Sequence, residues 1–120
     1  MGSEKRKDVR MDCYLPAQYW LVLAMGRVAQ DSKKSTITNL SGGGCCMLVN
    51  DEMPKGTKMY VQFRLGLNEE IKIFCDVLRA EEAPRGYSLG IRFLDREGVK
   101  ERIIKYVFFE LRKKRKEGSD

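Results

Sequence analysis

Residues 59–77 read Met59-Tyr60-Val61-Gln62-Phe63-Arg64-Leu65-Gly66-Leu67-Asn68-Glu69-Glu70-Ile71-Lys72-Ile73-Phe74-Cys75-Asp76-Val77, and their pattern decides the fold class. Met59, Val61, Phe63 and Leu65 alternate with Tyr60, Gln62 and Arg64, the period of two expected of a strand that buries one face. Ile71, Ile73, Cys75 and Val77 repeat the alternation, with Lys72 and Asp76 turned outward. Gly66-Leu67-Asn68 between them carries turn chemistry, so the spacing predicts an antiparallel hairpin.

Working outward, Tyr87, Leu89, Ile91 and Phe93 form another alternating strand after a turn at Pro84-Arg85-Gly86. Upstream, Cys13 to Ala24 is rich in aromatic and branched residues (Tyr14, Tyr19, Trp20, Val22), and Pro16 marks an edge or a bulge near the start of a strand. Gly26 to Lys34 reads as a polar turn. Ser35-Thr36-Ile37-Thr38 is β-prone and leads into a glycine-rich turn, after which Cys45 to Val49 is a short apolar strand. Five to seven strands, about six, with short connections predict a mainly β fold, a small antiparallel barrel over residues 13–95. With 120 residues the chain has room for one domain and one core.

The last segment changes period. Val99, Ile103, Val107 and Leu111 recur every four residues, with Ile104 and Phe108 beside them, so 96–116 reads as an amphipathic helix and 117–120 as a tail. Its apolar stripe is expected to cover an open end of the barrel. Adjacent Phe108 and Phe109 widen that face enough to serve a homodimer or a downstream protein as well. The run Arg112-Lys113-Lys114-Arg115-Lys116 suits the negative pole of a helix dipole; the other reading is a patch for nucleic acid or anionic lipid.

Residues 1–12 are polar and charged and read as a flexible basic arm. Met1-Gly2-Ser3 resembles a bare linker or cloning remnant, so an upstream domain or a protein partner is expected. No stretch approaches the ~18 apolar residues of a membrane span, and the start lacks an apolar signal core, which points to the cytoplasm. Cys13, Cys45, Cys46 and Cys75 lack CxxC spacing and the chain has no histidine, so a metal site or cofactor is not expected. Cys45 and Cys46, adjacent on a strand, should face opposite ways, as small hydrophobes in a reducing compartment. Without histidine the commonest general base is missing too, and the expectation is a protein that is not an enzyme. The net charge of +6 favours anionic partners.

Two motifs carry the chemistry. Arg6-Lys7-Asp8-Val9-Arg10 places two arginines four apart in the arm, and Asn39-Leu40-Ser41-Gly42-Gly43-Gly44 joins two strands. A guanidinium grips phosphate bidentately, pairs with the O6 and N7 acceptors of guanine, or stacks on a purine. Asn39 and Ser41 offer short polar side chains, and glycines let a ligand approach backbone N–H groups. The second motif is expected by chance only about 0.05 times in a chain of this composition.

In order and spacing, RxxxR followed by [DN]xSxxG resembles the signature of the PilZ domain family, whose members bind cyclic di-GMP. Asn39 stands where aspartate is commoner, and the pattern allows either. Tyr87-Ser88-Leu89-Gly90-Ile91-Arg92-Phe93 resembles the family's closing G-x-x-F strand. The resemblance covers roughly residues 5–110. It implies a PilZ-type barrel and a cyclic di-GMP site made of Arg6, Arg10, Asn39, Ser41, Gly43 and Gly44, with Lys5, Gly90 and Arg92 as accessory positions. It also implies a switch without turnover, with outputs of the motility, biofilm or exopolysaccharide kind, and leaves open one ligand or an intercalated pair. Two other readings stay open. One is an OB-like module for single-stranded nucleic acid, against which the apparent burial of the strand aromatics argues. The other is an interaction module that needs no nucleotide, against which retention of both motifs argues.

Overall fold

The hairpin read at 59–77 forms as β4 (Lys58–Leu65) and β5 (Glu69–Ala83), with Val61 opposite Ile73 and Phe63 opposite Ile71. The computed structural model describes residues 9–94 and 98–118, with side chains through residue 115. Its other strands are β1 (Met11–Leu21), β2 (Lys33–Leu40), β3 (Gly44–Val49) and β6 (Gly86–Phe93). All neighbours pair antiparallel in the order β1-β2-β3-β6-β5-β4, and β4 returns to β1, closing a six-stranded barrel. Closure removes the unpaired edges that an open sheet would expose.

The inward face is apolar throughout: Ile37, Leu40, Met47, Met59, Val61, Ile71, Ile73, Val77 and Leu89 are fully buried. The helix α1 (Val99–Gly118) inserts Val99, Ile103 and Val107 into this core at helical spacing. It begins three residues after the expected 96 and takes in two residues read as tail; residues 95–97 lie outside those described. Among the described residues no helix is long and apolar enough to cross a membrane.

β1 opens at Met11, two residues before the expected Cys13, because Met11 is buried opposite Leu40. The first half of β1 pairs with β2 alone, since its ladder with β4 starts only at Ala17, and the register with β2 shifts between Asp12 and Leu15. Pro16 therefore sits where one side of the strand needs no donor, beside a bulge. β5 departs further from expectation. It runs on to Ala83, and a bulge between Val77 and Arg79 changes its alternation, so that Val77 is buried and Arg79 exposed.

Two features of the outer surface go beyond the sequence reading. Trp20, Tyr60 and Phe74 lie in one cross-strand row on the outer surface, half-buried rather than in the core, and the Lys72 ammonium stands 4.3 Å from the Trp20 ring. Asp76 points outward yet is 4% exposed, covered by its cross-strand partners Lys58 and Arg92. Arg92 donates Nε–H to Asp76 Oδ1 at 3.1 Å and Nη2–H to Oδ2 at 2.8 Å, and Lys58 Nζ donates to Oδ2 at 3.4 Å. Such a fork is the stronger kind of ion pair.

The Arg92 hydrogen bonds, aided by Lys58 and opposed by burial, hold the Asp76 carboxyl below its ordinary range. A depressed folded-state pKa contributes stability above the unfolded value of about 3.9 that is lost as pH falls through the folded one. Arg92→Ala is therefore expected to destabilise the protein at neutral pH. Denaturant unfolding of both proteins at descending pH should show the difference shrinking below the usual carboxylate range; a pH-independent difference would contradict the ion pair.

Candidate functional site

The β1–β2 ladder seats Asp12 opposite Asn39, which brings the chain just upstream of β1 over the end of β2. There Arg10 donates from Nη1 to Asn39 Oδ1 at 3.3 Å. The second arginine of the arm and the first polar residue of the turn motif, 29 positions apart in sequence, thus touch. Arg6 and Lys5 lie outside the described residues.

The turn that follows is closed from within. Ser41 is 4% exposed, and both its backbone N–H and its hydroxyl donate to the Gly44 carbonyl, at 2.9 and 3.2 Å. Its hydroxyl holds the bend rather than facing solvent. The three glycines divide by cause. A Cβ on Gly42 would stand 2.5 Å from Ile104 Cγ1 on α1, and one on Gly44 would stand 2.0 Å from the Ile91 carbonyl oxygen of β6. Packing thus requires both. Gly43 alone faces open space, and its carbonyl accepts from the Phe93 N–H at 2.9 Å. It borders a cleft of about 580 Å³ whose lining includes Gly42, Arg92, Gly98 and Lys100. Arg92, although tied to Asp76, keeps 55% of its side chain exposed at that cleft.

The outer face beside Asn39 is a low floor. Asn39 pairs with Cys46, Cys46 with Gly90, and Gly90 with Arg79, in one row across β2, β3, β6 and β5. Gly90 is buried because the Arg79 side chain lies over it. Sequence reasoning missed Arg79, since alternation counted from Val77 turns it inward and only the bulge reverses that.

The arrangement suits binding of an anion with a planar part. Among the described residues no group of three or more His, Cys, Asp or Glu is placed to hold a metal. Burial pushes the Cys45 thiol well up, leaving it an apolar filler rather than a nucleophile. A larger cavity of about 1460 Å³, lined by Leu15, Phe63, Leu67, Tyr87, Tyr106 and Phe109 among others, includes none of Arg10, Asn39, Ser41, Gly43 or Gly44.

A family model described as the PilZ domain matches residues 4–109. No curated protein matches in a direct sequence comparison. The fold is similar to the inhibitor of motility MotI/DgrA from Bacillus subtilis, with a TM-score of 0.74 at 18% identity, over 91% of this chain and 52% of that one. It is equally similar to YcgR from Escherichia coli in complex with c-di-GMP, with a TM-score of 0.74 at 19% identity, over 96% of this chain and 50% of that one. The PilZ domain of YcgR with c-di-GMP gives 0.65 at 17% identity, over 97% and 98%. The chain spans about half the length of the first two proteins.

The glycine geometry gives a direct test. Gly44→Ala should lower stability by about 1–3 kcal/mol through the clash with β6, whereas Gly43→Ala should leave it within about 0.5 kcal/mol. Chemical denaturation checks both, and equal effects would contradict the assigned packing.

Proposed function

The chain belongs to the PilZ domain family, and from that membership we propose that it is a cyclic di-GMP receptor that switches a partner without chemical turnover. The single observation that carries the reading is the 3.3 Å hydrogen bond from Arg10 to Asn39, because it joins the arm motif to the turn motif at one place on the barrel.

The ligand has two guanines and two phosphodiester anions. Arg10, with Arg6 preceding it on the arm, stacks on or hydrogen-bonds a guanine and neutralises phosphate. The Asn39 amide presents both a donor and an acceptor to a base or sugar edge. Gly43 leaves its backbone open, and Ser41 and Gly44 hold the bend in shape. Docking of the arm motif and the turn motif on one ligand supplies the two-state response. Lys114 of α1 donates to the Asp12 carbonyl at 3.1 Å, so the base of the arm touches the helix whose exposed Phe108 and Phe109 form the surface for a partner or a second copy. A receptor of this kind acts in the cytoplasm, on an upstream domain or a protein of the motility, biofilm or exopolysaccharide machinery.

Calorimetric titration with cyclic di-GMP, with GMP, GTP and a short single-stranded oligonucleotide as competitors, tests the reading. Binding is expected to resist the oligonucleotide. Arg10→Ala should weaken binding by about 2 kcal/mol or more, roughly thirtyfold. Undiminished affinity in that variant, or displacement by the oligonucleotide, would overturn the proposal.

A further inference from the structure

We propose that Arg79 is a further arginine of the ligand site, facing Arg10 across a floor formed by Cys46 and Gly90; this rests on the cyclic di-GMP reading above. The register across four strands places Asn39, Cys46, Gly90 and Arg79 side by side on the outer face. With strands spaced about 4.8 Å apart, Asn39 and Arg79 mark the two margins of a strip about 14 Å wide. Arg10 is held at the first margin by Asn39.

Arg79 leans over the floor instead of standing away from it. A Cβ built on Gly90 would meet Arg79 Cγ at 3.0 Å and its Cζ and Nε at 3.3 Å, so both stem and guanidinium lie along β6, across the bare backbone. The fold makes little use of this placement. Its ion-pair partner Glu81 stands 3.6 Å from Nε, with both side chains exposed, 59% for Arg79 and 72% for Glu81. An exposed pair of this kind is weak and screened, and it leaves most of the five N–H donors of the fork unused.

Between the margins the floor is low, with a half-buried cysteine and a residue that has no side chain. A flat molecule can rest there. Planar cations at both margins select one that is anionic or rich in acceptors at both ends, as a cyclic pair of guanylates is. Arg79 is assigned to the half of the ligand that Arg10 does not hold. The bulge between Val77 and Arg79 acquires a purpose on this assignment, since it turns this side chain outward at the level of Asn39.

Titration calorimetry with cyclic di-GMP on the wild type and on Arg79→Ala, Arg79→Lys, Gly90→Val and Arg10→Ala, all with matched unfolding midpoints when ligand-free, tests the inference. Loss of a charge-assisted contact predicts about ten- to thirtyfold weaker binding for Arg79→Ala. Arg79→Lys should recover only part of it because the planar fork is gone. Gly90→Val should weaken binding too, by raising the floor and displacing the Arg79 side chain that lies over it. Arg79→Ala and Gly90→Val binding within about twofold of wild type while Arg10→Ala is impaired would overturn the role of Arg79 and leave the receptor reading standing. Absence of heat with the wild type would overturn both.

Discussion

Met11 lies opposite Leu40 in the β1–β2 ladder, both buried, and the site depends on that apolar pair. Side chains alternate along a strand, so a slip of one residue would expose Met11 and turn its neighbours inward. Burial thus fixes the register, and the register sets Asp12 beside Asn39 on the outside, two residues past Arg10. A hydrophobic constraint in the core therefore positions a polar contact on the surface.

The turn obeys the same logic. Ser41 spends both its backbone N–H and its hydroxyl on the Gly44 carbonyl, while Gly42 and Gly44 are small because α1 and β6 pass too close for a side chain. A bend braced on two sides keeps Asn39 and Gly43 in fixed relation without ligand, which lowers the ordering cost of binding.

The hairpin at 59–77, the strand at 87–93 and the apolar stripe of the helix were legible in the sequence because each buries one face at a fixed period. The bulge in β5 was not: beyond Val77 both faces of the strand are exposed, so Leu78 to Glu82 carry no alternation to read. Arg79 was hidden with it. The alternation sets Asp76 outward, as found, but not its burial, because its cover comes from Lys58 and Arg92 on neighbouring strands, which sequence spacing cannot pair. The motif residues Asn39, Ser41, Gly43 and Gly44 were visible as a set, but their separate tasks, Asn39 and Gly43 facing outward, Ser41 tied into the bend and Gly44 packed against β6, follow from tertiary contacts. Similarity to solved PilZ structures below 20% identity supports the barrel.

The central claim is that the arm and the turn act as one clamp. A double-mutant cycle of Arg10→Ala and Asn39→Ala on cyclic di-GMP affinity measures this directly, because residues sharing one ligand and one hydrogen bond couple energetically. The account requires a coupling of about 1 kcal/mol or more between the two substitutions. Strictly additive losses, within about 0.3–0.5 kcal/mol, would show that the two motifs work separately and would contradict it.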